Sequence, residues 1–148
     1  MKRFAWRLQR VLEIKTKQEQ KERAELLKLT ETLAERRGEL LMRKKMLKDV
    51  IDGLAAVDPK KRLGEQEFFL RHAGTSDEQI RKLKDRISGL ESQQKEKIAE
   101  VLKIRRFKKG LEKLRVEAKR QFIAEQEKLE QNELDEAAVV SFVRKSLS

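Results

Sequence analysis

The sequence predicts an all-α protein in which two long helices form an antiparallel coiled-coil hairpin joined by a short helical connector. Of its 148 residues, 43% are charged, well above the roughly 25% of an average globular domain. Apolar residues make up 38% and aromatic residues 5%, too few to fill one compact core of this size. Most of the other residues are Lys, Glu, Arg and Gln. Because these residues favour helices, the composition indicates long helices rather than a globule.

Heptad spacing separates this prediction from disorder, which would leave the apolar residues without a period. From Leu12 to Leu54 a leucine recurs every seventh residue, with one gap at Glu19, so these side chains share one helical face. Arg36 and Arg43 lie three residues after Leu33 and Leu40, where a heptad stripe would have its second apolar residue. Pro59 excludes a helical conformation for the residue before it, so we predict a first helix over residues 3–57, about 75–80 Å long.

A second apolar stripe predicts the second helix. The apolar residues of this stripe are Ile80, Leu83, Ile87, Leu90, Val101, Ile104, Leu111, Phe122 and Leu129. Four polar residues interrupt it: Gln94, Lys97, Lys108 and Arg115. Thr75 and Glu78 have the spacing of a capping box, directly after Gly74. We therefore predict a connector over residues 58–75 and a helix over residues 76–145, within one elongated coiled-coil domain of residues 1–148.

Two equal helices must fold back on each other to bury their stripes. With this connector, facing residues have numbers that add to about 133, so that Leu29 faces Ile104. The acidic residues 125–136 then lie opposite the basic start of the chain. Phe4, Trp6 and Phe142 are expected to cluster, either as a structural staple or as a docking site.

Positive charge is concentrated in residues 103–120, where nine basic side chains outnumber two carboxylates in a chain of net charge +11. Such a belt could bind nucleic acid, a membrane surface or an acidic protein. No nucleic-acid-binding motif accompanies it, and its apolar residues are needed by the partner helix, so the interpretation favours a protein. The candidate binding residues are Arg105, Arg106, Lys108, Lys109 and Lys113.

The sequence offers no catalytic, cofactor-binding or metal-binding constellation. There is no cysteine, one histidine, His72, no phosphate-binding glycine loop and no long apolar run, so we expect a cytoplasmic protein that is not an enzyme. Phe68, Phe69 and Leu70 stand out in the predicted connector. Adjacent aromatic residues cannot both enter a thin two-helix core, so they either cap that core or contact a partner.

Both ends of the chain carry a family resemblance. Residues 4–15, Phe-Ala-Trp-Arg-Leu-Gln-Arg-Val-Leu-Glu-Ile-Lys, resemble the F-x-[FWY]-R-L-x-x-[VL]-L-x-[IL]-[RK] start of the FliJ family of flagellar type III export proteins. Residues 130–145 are similar to its E-x-x-x-L-D-E-x-A-x-x-x-[FY]-x-[RK] ending. Residues 73–76, Ala-Gly-Thr-Ser, depart from the family pattern, in which an aromatic segment leads directly into the second helix.

The resemblance implies a coiled-coil shaft similar to that of rotary ATPases, acting in flagellum assembly and motility. Its implied partners are the hexameric export ATPase, the large membrane subunit of the export gate and the export chaperones, with no specific nucleic acid and no cofactor. It would be cytoplasmic and reach the inner membrane only through those partners. The alternatives are a basic scaffold for nucleic acid or other acidic polymers, and a stalk subunit of another rotary ATPase.

Overall fold

The structure is a computed structural model that describes residues 2–56 and 62–147, except for the side chains of Arg62, Leu63, Glu65 and Phe69. It consists of two helices, α1 (Gln9–Ala55) and α2 (Arg62–Leu147), and the described residues contain no β-strand. The predicted all-α fold with two long helices is confirmed. Helix α1 ends close to the predicted limit, while Val57 and Asp58 lie outside the described residues.

Helix α2 begins about fourteen residues before the predicted start, so the connector predicted over residues 58–75 is wrong for residues 62–75. Residues 58–61 of that prediction lie outside the described residues. The Thr75 hydroxyl donates a hydrogen bond to the Arg71 carbonyl oxygen, 3.0 Å away, one turn earlier in the same helix. Glu78 forms an ion pair with Lys82 at 3.4 Å instead of closing a capping box. Gly74 lowers the stability of a helix by about 1 kcal/mol relative to Ala. This loss is small enough for α2 to continue through Gly74. Helix α1 likewise starts at Gln9 rather than at residue 3.

The contacts divide the chain into two units, each described separately below. The terminal unit comprises residues 1–19 and 103–148, and the central unit comprises residues 20–102. Both units contain a stretch of α1 and a stretch of α2. That all 148 residues form one domain stays a prediction.

The core of the central unit is formed by Leu33, Leu83 and Ile87, with Leu40 and Leu90 packed against it. All five occupy heptad positions that the sequence predicts for the stripes. Leu33 is 1% exposed and is the most deeply buried side chain of this core. Cross-helix contacts run antiparallel, because Arg43 contacts Gln79, whereas Thr30 contacts Gln94.

The terminal unit is also antiparallel, with Ile104 and Leu111 of α2 buried. Phe4 packs against Phe122, with ring centroids 5.5 Å apart, and Arg115 donates a hydrogen bond to Gln9 at 3.0 Å. Phe142 is 72% exposed. The predicted cluster of Phe4, Trp6 and Phe142 is therefore wrong, since Phe122 is the partner of Phe4.

The predicted register is also wrong in both units. Thr30 and Gln94 in the central unit, like Gln9 and Arg115 in the terminal unit, have numbers that add to 124 rather than 133. The error follows from the predicted connector, because α2 begins at Arg62 and not at residue 76, which lowers the numbers of the residues that face each other. Residues 103–120 consequently lie against residues of the first 19. Among the described residues no ion pair of 4 Å or less joins the acidic residues 125–136 to the basic start of the chain.

Candidate partner-binding surface

Polar residues that interrupt the apolar stripes also make cross-helix contacts in the central unit. The Lys97 ammonium donates hydrogen bonds to carboxylate oxygens of Glu22 and Glu25, each 2.6 Å away. The hydrogen bond to Glu22, followed by that to Glu25, raises the pKa of Lys97 above its ordinary range. The same hydrogen bond lowers the pKa of Glu22 below its ordinary value of 4.5. These charges are held in place by the helix pair.

The two arginines that interrupt the stripe of α1 bind a shared carboxylate. Arg36 donates to Glu39 at 2.9 Å, and Arg43 donates to the same carboxylate at 3.4 Å and to Gln79 across the helix pair. The hydrogen bond from Arg36 lowers the pKa of Glu39. Arginine is well suited to this position because its fork of donors can reach several acceptors at once.

In the terminal unit the buried carboxylate of Glu19 makes polar contacts with α2. Glu19, which breaks the leucine repeat, is 6% exposed. It accepts a hydrogen bond from Lys108 at 3.2 Å and forms an ion pair with Arg105 at 3.5 Å. A buried charge needs such partners, because an unpaired one would be strongly destabilising. Glu19 and Lys108 therefore belong to the packing of the unit.

This pairing divides the five predicted binding residues into two groups. Lys108 and Arg105 are directed to Glu19, whereas Arg106, Lys109 and Lys113 are exposed. Within the described residues no ion pair engages these last three. Because they are spaced by three and four residues, they lie on one face of α2. We call Arg106, Lys109 and Lys113 the basic face.

The aromatic segment lies within α2 rather than in a connector. Phe68 and Leu70 are 71% and 69% exposed, so neither caps the core of the central unit. The ring of Phe68 stacks on His72, with centroids 6.0 Å apart. The side chain of Phe69 lies outside the described residues. We call Phe68 and Leu70, the two exposed apolar side chains here, the Phe68 segment. Because they are two residues apart, they lie on different faces of α2, and Phe68 is the one beside His72, the only histidine of the chain.

One contact of the terminal unit was missed by the sequence interpretation. The ammonium group of Lys15 lies 5.0 Å from the centroid of the Phe107 ring, within the range of a cation–π interaction. Phe107 falls between the residues of the belt, and its neighbours in sequence are all basic. The correct register would have identified the pair, since a shift of nine residues brings Lys15 toward Phe107.

Over residues 2–56 and 62–147, no group of three or more acidic or histidine side chains is arranged to hold a metal ion. Neither helix, over the same residues, has a stretch long and apolar enough to cross a membrane. Three surfaces stand out among the described residues: the basic face, the Phe68 segment and the exposed end of α2, residues 127–147.

Comparison with protein families identifies the chain. The model of the flagellar FliJ protein family matches residues 4–147, nearly the whole sequence. The chain belongs to the FliJ family. Searches of curated proteins and of solved structures found no match.

Membership makes this protein a component of flagellar type III protein export. The resemblance of its two ends to the FliJ family is confirmed, and the match also extends through residues 73–76, where the sequence departs from the expected pattern. In the structure these four residues continue α2. The departure therefore leaves the helix of this FliJ-family protein uninterrupted.

Proposed function

We propose that this FliJ-family protein links the hexameric flagellar export ATPase to the export gate, and that the basic face binds the ATPase. The supporting observation is that Arg106, Lys109 and Lys113 are exposed and aligned, while Lys108 and Arg105 are engaged by Glu19. Exposed charges contribute little to folding but strongly affect encounter with an oppositely charged partner. ATP hydrolysis belongs to the ring in this proposal, and the chain itself is not an enzyme.

Charge reversal of the basic face tests the first contact. We expect Arg106→Glu, Lys109→Glu and Lys113→Glu together to weaken binding to the purified export ATPase by about tenfold or more at low salt. The melting temperature should change little. Affinity of the unsubstituted chain should fall as salt is raised, because screening acts on exposed charges.

A matched control removes the effect of net charge. Lys44, Lys45 and Lys48 are also three exposed basic residues of one helix, in the central unit. Their triple substitution by Glu changes the net charge by the same amount and should leave ATPase binding nearly unchanged. Equal losses in both triple variants would show nonspecific attraction, and an unaffected basic-face variant would remove this surface from the proposal.

The second contact of the proposal is made by the Phe68 segment, which we assign to the membrane subunit of the export gate. Its support is the exposure of Phe68 and Leu70, which α1 leaves uncovered. Aromatic anchors often carry much of the binding free energy of an interface. Through this contact the protein would lie at the cytoplasmic face of the inner membrane, where export chaperones could reach it.

Substitution of Phe68 and Leu70 by Ala tests the gate contact. Loss of an aromatic anchor costs about 2 kcal/mol, or roughly 30-fold in affinity, so gate binding and motility should fall while ATPase binding persists. Leu134→Ala, at a comparably exposed position, is the control. Unchanged gate affinity of the Phe68 and Leu70 variant would contradict the assignment, and a lowered melting temperature would restore the core-capping interpretation.

A further inference from the structure

The last part of α2 is a helix without a covering partner. Every residue from Glu127 to Leu147 is exposed. The segment nevertheless carries several large apolar side chains, among them Leu129, Val140 and Leu147, of which Val140 is 51% and Leu147 is 84% exposed. Most helical stability in proteins comes from packing of an amphipathic face rather than from helix propensity. An amphipathic stretch of this kind gains stability when another helix covers it.

Four residues of this segment share one face. Glu133, Ala137, Val140 and Arg144 are spaced by four, three and four residues, as expected for a helix period of 3.6. Together with Glu136 and Ser141 they line one shallow groove on α2. Leu129 and Leu147 extend the same face at its two ends. Along the face an apolar centre is therefore flanked by an acid on one side and a base on the other.

The order of these residues is self-complementary. When a second copy of the face is placed antiparallel, Glu133 of each copy lies opposite Arg144 of the other. In the same register Ala137 lies opposite Val140, and Glu136 lies opposite Ser141. A parallel arrangement would place Glu133 against Glu133 and Arg144 against Arg144, which repel each other.

We propose that residues 129–147 pair with the same residues of a second copy of the chain in an antiparallel, two-fold symmetric helix pair. The contact is isologous, so it closes as a dimer instead of growing into a fibre. A uniformly basic or uniformly acidic partner would match only one end of the face. A second copy matches both ends with the same two residues.

Charge-swap variants of the full-length chain test the pairing by sedimentation equilibrium, without any added partner. Glu133→Arg alone and Arg144→Glu alone each create two like-charge contacts per dimer and should weaken dimerisation by about tenfold or more. The double variant Glu133→Arg, Arg144→Glu restores two opposite-charge contacts and should recover most of the affinity. This recovery excludes a merely structural effect of Arg144 on the last turn of α2.

Glu127→Arg is the matched control, since it makes the same charge change at an exposed residue outside the groove. It should leave the monomer–dimer equilibrium close to that of the unsubstituted chain. A protein that stays monomeric at all concentrations would overturn the proposal, as would single charge variants that dimerise normally. Failure of the double variant to recover affinity would also overturn it.

Disulfide trapping tests the direction of the pair, and the chain has no cysteine of its own to interfere. Chains carrying Ala137→Cys are mixed with chains carrying Val140→Cys and oxidised. The antiparallel register predicts that the mixed disulfide predominates over either homodimer. Predominant homodimers of the Ala137→Cys chain would demonstrate a parallel pair and contradict the proposal.

Discussion

Two stretches of α2 differ in burial although their sequences are alike. Residues 80–101 and residues 127–147 are both rich in charge and carry apolar residues at helical spacing. In the first stretch Ile80, Leu83 and Ile87 are less than 10% exposed, whereas every residue of the second stretch is exposed. The difference comes from the presence of α1 opposite the first stretch in the central unit.

The comparison shows that an apolar stripe marks a face capable of packing without showing what packs on it. Burial of an apolar side chain contributes about 1.5–3 kcal/mol only when a partner removes it from water. In the central unit that partner is α1. In residues 127–147 of the terminal unit we assign the role to another copy of the chain. The two stretches should therefore respond differently to the same substitutions.

The largest expected difference is between two leucines. Leu33→Ala removes a side chain that is 1% exposed and packs with Leu83 and Ile87, and it should lower the free energy of unfolding by about 2–3 kcal/mol. Leu134→Ala removes a leucine that is 66% exposed and should change it by less than about 0.5 kcal/mol. Urea unfolding followed by circular dichroism measures both. Similar losses would show that residues 127–147 pack as tightly as the core.

A smaller difference is expected between two glutamates. Glu19→Ala leaves Lys108 without its carboxylate partner and should lower the free energy of unfolding by about 1–2 kcal/mol. Glu127→Ala, at an exposed residue, should have little effect. The same urea experiment compares them.

A double variant sharpens the glutamate comparison. Replacing Glu19 and Lys108 together by Leu substitutes an apolar pair for an ionic one, which is often neutral or stabilising, so it should recover the stability lost in Glu19→Ala. If Glu19→Ala were as harmless as Glu127→Ala, the ion pair would have no structural role.

The helices could be predicted from the sequence because their signal is repeated many times. Heptad spacing recurs along both stripes, so a single exception such as Glu19 does not hide it. The start of α2 could not be predicted, because a capping box and a glycine look the same in a sequence whether the helix begins there or continues. That one local error displaced the register, the partner of Phe4 and the neighbours of residues 125–136.

The polar interruptions carried more information than the sequence interpretation extracted. In the sequence Glu19, Lys97, Lys108 and Arg115 interrupt the stripes, but in the structure each contacts the opposite helix within its unit. The basic belt was predicted as one surface, and only the side-chain contacts separate Lys108 from Arg106, Lys109 and Lys113.

The smallest expected effect is a loss of stability at acidic pH. Lowered pKa values of Glu22 and Glu39 mean that their contribution to stability is present above the unfolded-state value of 4.5 and is lost as pH falls below it. The raised pKa of Lys97 has the opposite sign, so its contribution is complete below 10.5 and is lost only as pH rises beyond that value. Neutral pH therefore retains all three contributions, while the urea midpoint should fall between pH 5 and pH 3.

Glu22→Gln identifies how much of this acid response comes from the contact with Lys97. The amide cannot be protonated in this range, so the variant should be less stable than the unsubstituted chain at neutral pH and should lose less stability on acidification. Glu127→Gln removes a carboxylate from the exposed stretch and should leave the acid response unchanged. If Glu22→Gln and Glu127→Gln gave the same pH profile, the bond between Glu22 and Lys97 would make no detectable contribution in solution. The contrast between paired and uncovered parts of α2 would then depend on apolar burial alone.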